Sequence, residues 1–440
     1  MTLSLQRYLP VARQHCGPIV EGRLTDAVGL VLEASGCKAS VGDLYRIRSA
    51  NLEHDVEAEV VGVRGPCTLL MPLGSTHGLE VGAPLRRIGR AAYVRVGMAL
   101  QGRVVDALGR PLDGGPVPAL DEERPLHGVR RNPLQRRAID KVLSVGVRAI
   151  DGLLTLAEGQ RIGIFAGGGV GKSSLLGMMV RQAKADVAVV SLIGERGREV
   201  QEFVHSTLGE AGLQRSVVVA ATSAEPPLVR ARGALYATTV AEYFRASGYQ
   251  VLLVMDSLTR YAMALREVGL AAGEPAVTKG YTPSVFAALP QLLERAGTCA
   301  GPGSITGVYT VLVEGDDLSD PIADAARAIL DGHVVLSRKL AERGHFPAID
   351  VPRSVSRVMK QVSEADHVEL ARQARELLST HQEAEDLLAI GMYQRGNMPR
   401  LDDALARMPA LERYLRQSMD EATAFRDSLA QLAAVWQEGA

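Results

Sequence analysis

The chain has 440 residues, 47% hydrophobic and 22% charged, with 49 basic against 50 acidic side chains and a formal net charge of −1. That length predicts about two or three domains, and the neutral balance argues against bulk nucleic-acid binding or a polybasic membrane anchor. Aromatic residues make up only 4%, too few for a surface that stacks single-stranded bases.

In chain order, Met1 to Pro10 carries one Arg and no apolar core, so no signal peptide is expected. Residues 1–85 read as short strands: Gly17 to Leu32 and Val56 to Val63 alternate, and Gly65-Pro66, Pro72-Leu73-Gly74 and Gly82-Ala83-Pro84 punctuate them. Many short strands at this spacing predict a small β-barrel. Gly97 to Gly115 reads as a strand, a turn and the start of a linker. From about residue 140 to 355, nearly continuous apolar runs at 162–165, 187–193, 217–222, 251–255 and 308–313 alternate with helical segments such as 198–211 and 227–247. Runs of that kind belong to strands covered on both faces, so a mostly parallel α/β sheet is expected. After Arg357 the chain turns helical. Met408, Leu411, Leu415, Met419, Ala422, Phe425, Leu429, Leu432 and Trp436 recur at spacings of three and four, which predicts one apolar stripe on a long helix. The predicted boundaries are 1–85, 86–357 and 358–440.

The four cysteines, at 16, 37, 67 and 299, form no CxxC pair, so reduced cytosolic thiols are expected. No run of about 18 apolar residues offers a membrane span.

The strongest local signal is Ala166-Gly167-Gly168-Gly169-Val170-Gly171-Lys172-Ser173, between an apolar run and the helix-like Ser174 to Val180. Strand, glycine turn and helix start are what a phosphate-binding loop requires. Glycines let successive N–H groups curl round a phosphate, and the helix N-terminus adds partial positive charge. Lys172 then reaches phosphate oxygens and the Ser173 hydroxyl ligates Mg²⁺. Asp256 ends the apolar run 251–255, where phosphate-loop enzymes keep a magnesium-side carboxylate. Glu195 follows the run 187–193 within Gly194-Glu195-Arg196-Gly197-Arg198-Glu199. A carboxylate there suits the orientation and deprotonation of a water; a charged turn opening a helix is the other reading of the same residues. Asp316 to Pro321 lacks the spacing of a calcium-binding loop and reads as capping. Arg357 closes Ser354-Val355-Ser356-Arg357. Composition alone makes it a surface residue, although a guanidinium can stabilise transition-state charge.

Together these segments resemble the ring-forming rotary ATPases, relatives of the F-type ATP synthase catalytic subunit. Within them the protein-export ATPases of type III secretion are the nearest match. Phe165 to Ser173, Val313 to Asp317, Asp320 to Asp324, Gly280 to Phe286 and Pro347 to Val351 carry the likeness in order along nearly the whole chain. It accounts for Ala166, since export ATPases commonly begin this loop with Ala-Gly; Gly168 stands where Ser is common.

The resemblance implies an N-terminal β-barrel, a RecA-like central domain and a C-terminal helical bundle. ATP and Mg²⁺ are the implied ligands. Residues 167–174, from Gly167 and Gly168 through Gly169, Val170, Gly171, Lys172 and Ser173 to Ser174, hold the phosphates, and Ser173, Asp256 and Glu199 serve the metal. Glu195 is the implied general base, Arg196 a phosphate-side contact, and Arg357 the arginine one subunit inserts into its neighbour's site. Phe346 takes the place of an adenine-packing aromatic, although core packing explains a Phe there as well.

Having both Glu195 and Arg357 implies a self-sufficient homohexamer. The implied partners are a central coiled-coil stalk facing the loop 269–280, a peripheral stator or regulator, the export gate and chaperone–cargo complexes at the C-terminal helices. The implied location is the cytoplasmic side of the inner membrane. The flagellar export ATPase shares these motifs, and the short segment before the barrel leans toward the injectisome form. A ring helicase and a non-hydrolysing nucleotide-binding subunit are more distant alternatives.

Overall fold

Alternating sequence at one end of the chain and continuous apolar runs in the middle produce two different kinds of sheet. The computed structural model describes residues 22–48, 55–90, 92–129, 132–313, 317, 319–389 and 391–438. The expectations for Met1 to Pro10, for Cys16 and for Glu314, Gly315, Asp316 and Leu318 therefore lie outside the described residues.

The first unit is a closed antiparallel barrel. Its strands are β1 (Gly22–Val28), β2 (Val31–Ser35), β3 (Asp43–Ile47), β4 (Val56–Arg64), β5 (Cys67–Pro72) and β6 (Pro84–Arg90), in the order β1-β2-β5-β4-β3-β6. Alternation is the cause: Val56, Ala58 and Val60 of β4 face a core with Leu24, Leu32, Tyr45, Ile47, Leu70 and Leu85. Successive side chains of a strand point to opposite faces, so one face fills the barrel and the other meets solvent. Bulges between Leu24 and Asp26 and between Val60 and Gly62 break the ladders, as closure of a small barrel favours. Residues 270–274 cluster with this unit.

The second unit spans 94–269 and 275–440. β7 (Tyr93–Val96) and β9 (Glu122–Pro125) form a two-stranded ribbon separate from its main sheet. That sheet has nine strands: β8 (Val104–Asp106), β10 (Arg161–Ala166), β11 (Val187–Ile193), β12 (Ser216–Ala221), β13 (Gln250–Asp256), β14 (Gly297–Thr298), β15 (Ser304–Leu312), β16 (Gly332–Leu336) and β17 (Ile349–Ser356). Eight run in the order β17-β16-β10-β15-β13-β11-β12-β8, with β14 paired to β15. The pairs from β16 through β10 to β8 are parallel, whereas β17 and β14 pair antiparallel. Every residue of β11 is buried, which is why it reads as an unbroken apolar run. Because the central strands are parallel, the residues following β10, β11, β13 and β15 emerge at one edge, where open α/β sheets bind ligands.

Two sequence expectations change. The helix expected over 198–211 is wound in three pieces: Gly197–Glu202, a π-wound turn Phe203–Leu208, and Gly209–Gln214. That turn lies so close to the helix Lys172–Gln182 that a Cβ on Gly177 would meet Thr207 Cγ2 at 2.0 Å. Second, the long C-terminal stripe is two helices, Pro399–Leu415 and Phe425–Glu438. Met408, Leu411, Leu415 and Leu432 are buried, but Met419 is exposed and sits in the connection. Tertiary hydrogen bonds make that break. Buried Arg148 donates from Nε to Tyr414 O at 2.8 Å and from Nη2 to Arg416 O, so a cation ends the helix at its negative pole. Ile150, Leu153, Leu411, Tyr414, Leu432 and Val435 share one core with the central sheet.

Candidate functional site

A cleft of about 850 Å³ opens at the carboxyl edge of the central strands. Residues 166–169 and 171–174 line it, from the loop after β10. Gly169 and Gly171 have φ of 77° and 87°, a left-handed region that L side chains avoid. An added Cβ on Gly168 or Gly169 would meet nothing within 4 Å, so the cradle is open above them. Val170 is 2% exposed and packs in the core, leaving its backbone to the loop. The helix Lys172–Gln182 begins without a side-chain cap, and its first N–H groups are donors for an anion.

Lys172 Nζ forms an ion pair with Asp256 Oδ1 and lies 3.5 Å from Glu195 Oε1. Asp256 ends β13, where Thr310 Oγ1 of β15 donates to Oδ1 at 2.7 Å. Glu195 stands after β11, and Gly194 before it has φ of 71°. The stem of Arg260 packs on that glycine, 3.1 Å from a built Cβ, and its Nε is buried without a hydrogen-bond partner. Arg196 N donates to Glu199 Oε2 at 3.1 Å, and Arg196 and Glu199 both line the cleft.

Burial raises the Glu195 carboxyl to about 7, with Asp256 and Glu199 adding to the rise against the opposing Lys172 charge. Glu199 is lowered, first because the Glu195 carboxyl donates a hydrogen bond to it. An acid raised on folding stabilises the fold when protonated. That contribution is complete below the ordinary value of 4.5 and is lost as pH rises through about 7.

The cleft therefore gathers residues 167–169 and 171–174 with Glu195, Arg196, Glu199 and Asp256. Phe346 is 45% exposed, and its ring lies 3.4 Å from a Cβ built on Gly171. Arg357 is elsewhere: it follows edge strand β17, is exposed, and donates from Nη2 to Arg327 O at 3.3 Å. Ser354 and Ser356 before it are anchors. Ser354 Oγ accepts from Val335 N at 2.9 Å, and Ser356 Oγ donates to Thr155 O at 2.9 Å.

Sequence reasoning missed several lining residues: Arg266, Lys279, Tyr281, Asp320 and Arg338. It also missed Thr310, whose one signal is a hydroxyl within an apolar run. Asp320 accepts from Ile322 N at 2.9 Å as the cap of the helix Pro321–Ile329, in keeping with the capping expectation.

The donors suit a polyanion. Lys172, Arg196, Arg260, Arg266, Lys279 and Arg338 surround an open glycine cradle, and Arg260 Nε awaits an acceptor. For Mg²⁺, the Ser173 hydroxyl and the Asp256 and Glu199 carboxylates are oxygen donors. No group of three or more His, Cys, Asp or Glu able to hold a metal occurs among the described residues.

Residues 146–356 match the model of the ATP synthase alpha/beta family, nucleotide-binding domain. Residues 24–89 match that family's beta-barrel domain, and 363–434 match the T3SS EscN ATPase C-terminal domain. A flagellum-specific ATP synthase of Pseudomonas aeruginosa is 52% identical over 98% of this chain and 96% of its own. A type 3 secretion system ATPase of Sinorhizobium fredii is 50% identical over 93% of this chain and 91% of its own. The assembled ATPase EscN of enteropathogenic E. coli superposes with a TM-score of 0.89 at 45% identity, covering 94% of this chain and 99% of EscN. EscN has also been solved in complex with its central stalk EscO.

Proposed function

The chain belongs to the ATP synthase alpha/beta family, in its type III secretion branch, and from that premise we propose how this P-loop ATPase works. It hydrolyses ATP to ADP and phosphate to drive type III protein export, as a homohexamer with composite sites. The observation that carries this is the division of the constellation: cradle, Lys172, Glu195 and Asp256 share one cleft, while Arg357 stands exposed after the edge strand of the same chain.

In this reading the backbone of 167–171 and Lys172 hold the phosphates, and Phe346 packs on adenine. Ser173, with Asp256 and Glu199 in the outer shell, would hold Mg²⁺, which neutralises phosphate charge when bound. Glu195 orients the attacking water and takes its proton, with Arg196 and Arg260 on the phosphate side. Arg357 of a neighbouring copy stabilises charge developing on the transferred phosphoryl group.

Charged Glu195 is the working form, so kcat/KM should rise with pH through about 7. Glu199→Gln removes a neighbouring negative charge and should move that rising limb to lower pH. A limb that stays fixed in the variant would mean the titrating group is not Glu195.

EscN in its assembled, stalk-bound form supports the ring and the stalk partner for this chain. The loop 269–280, which exposes Leu270 and Val277, is the proposed stalk contact. The C-terminal helices meet chaperone–cargo complexes and the export gate, and a peripheral regulator holds the ring at the inner membrane. No helix among the described residues is long and apolar enough to cross a membrane. The flagellum-specific relative is the more similar of the two compared, so the flagellar form of the machine is the second reading. Deleting the gene separates the forms: motility is lost in one case, effector secretion with motility intact in the other.

The test of the ring is the ATPase rate per subunit against protein concentration, with mass measured in parallel. The rate should climb as monomers become rings. A flat rate across that transition contradicts the composite site.

A further inference from the structure

The connection between the last two helices, residues 416–424, holds a buried amide with more partners than a turn needs. Gln417 is 5% exposed. Its Oε1 accepts from Arg148 N at 2.8 Å, and its Nε2 donates to Gly146 O at 2.7 Å and Glu421 O at 2.8 Å. Its backbone N–H donates to Phe346 O at 2.9 Å. The same connection grips the far end of the phosphate-loop helix. Arg181 Nη2 donates to Met419 O at 2.7 Å, and Gln182 Nε2 to Glu421 O at 3.1 Å.

Phe346 itself is nearly half exposed, and its ring faces Gly171. A half-exposed ring is held by its backbone more than by its packing. We propose that Gln417 is a positioning residue for nucleotide binding: it fixes the Phe346 segment against the phosphate loop and so ties the C-terminal helices to the base end of the site. The inference rests on Phe346 being the adenine platform.

The side-chain amide locks the Gln417 backbone to Gly146 and Arg148, whose chain neighbours Val145, Val147 and Ala149 share a core with the phosphate-loop helix. With the amide gone, the 417 N–H drifts from Phe346 O and the ring loses its register. The phosphate cradle keeps its own glycines, its helix and Lys172. A positioning role therefore predicts loss of base recognition with phosphate recognition spared, which general destabilisation does not.

Gln417→Met keeps length and loses every amide bond. In the full chain, calorimetry should show magnesium-ADP binding weakened about three- to tenfold, with magnesium tripolyphosphate, which has no base, held within about twofold. Tyr414→Phe removes a bond to Arg148 O and one shared with Ser428 in the same buried cluster. It should lower the melting temperature and leave both ligands bound as in the parent. Phe346→Ala, run beside them, should lose about tenfold in ADP binding and keep tripolyphosphate.

If Phe346→Ala binds ADP normally, the platform reading fails and the proposal falls with it. If Phe346→Ala is weakened while Gln417→Met binds ADP as the parent does, or loses both ligands equally, the platform stands and Gln417 has no positioning role. Should Gln417→Met not fold, Gln417→Asn, with its amide withdrawn by one methylene, carries the same expectations.

Discussion

Glu195→Gln should lower turnover by about 10²–10⁴-fold and leave MgATP bound. Glutamine has the shape of the carboxyl but cannot take a proton, so the attacking water keeps its position and loses its base. In the proposed site phosphate recognition rests on the 167–171 backbone and Lys172, and Lys172 retains its ion pair with Asp256. A second signature separates a lost base from a damaged site. The charged form of Glu195 is disfavoured by burial and by two neighbouring carboxylates, so a neutral amide should stabilise the fold, by on the order of 1 kcal/mol. The gain should appear above pH 7 and vanish below about 4.5, where the parent residue is itself neutral. Single-turnover hydrolysis with a nucleotide-binding assay reads the first effect, and melting against pH reads the second. Turnover retained within about tenfold would remove Glu195 from the base role.

Arg357→Ala should cost about 10³-fold or more, as loss of an arginine supplied to a transferring phosphoryl group does elsewhere. Its melting temperature should hold, because the side chain is exposed and makes one 3.3 Å bond to Arg327 O. An effect that large from a residue outside the cleft of its own chain has a direct check. Rings mixed from Arg357→Ala and Lys172→Ala subunits contain interfaces where an intact arginine faces an intact lysine. Those rings should regain part of the activity that neither variant has alone. Mixed rings verified by mass that stay inactive would refute a site shared between subunits.

The parts legible in the sequence were those whose pattern is local. β10, β11, β12, β13 and β15 announce themselves because strands buried on both faces carry mostly apolar residues, and the cradle because glycine is needed where φ is positive. β16 and β17 were not read. His333 in β16 and Asp350, Pro352 and Arg353 in β17 interrupt their apolar pattern, and the two strands pair across the antiparallel edge of the sheet. The gap between the last two helices was invisible for another reason. No glycine or proline marks it; Arg148 and Gln417, some 270 positions apart, create it by hydrogen bonding. The same holds within the site. Lys172 and Asp256 stand in recognisable contexts, whereas Thr310 and Arg260 gain meaning only when β13 and β15 lie side by side. The trans role proposed for Arg357 comes from family resemblance, since composition gives a surface arginine.

The approach of Gly177 to Thr207 has a consequence for timing. It packs the helix that carries the cradle against the segment that continues from Glu199, so closely that a Cβ on Gly177 would displace the Thr207 methyl. Within one subunit, then, the cradle helix and the segment beyond Glu199 share a tightly packed contact. In the proposed ring, the opening and shutting of a site would then fall at the seam between copies.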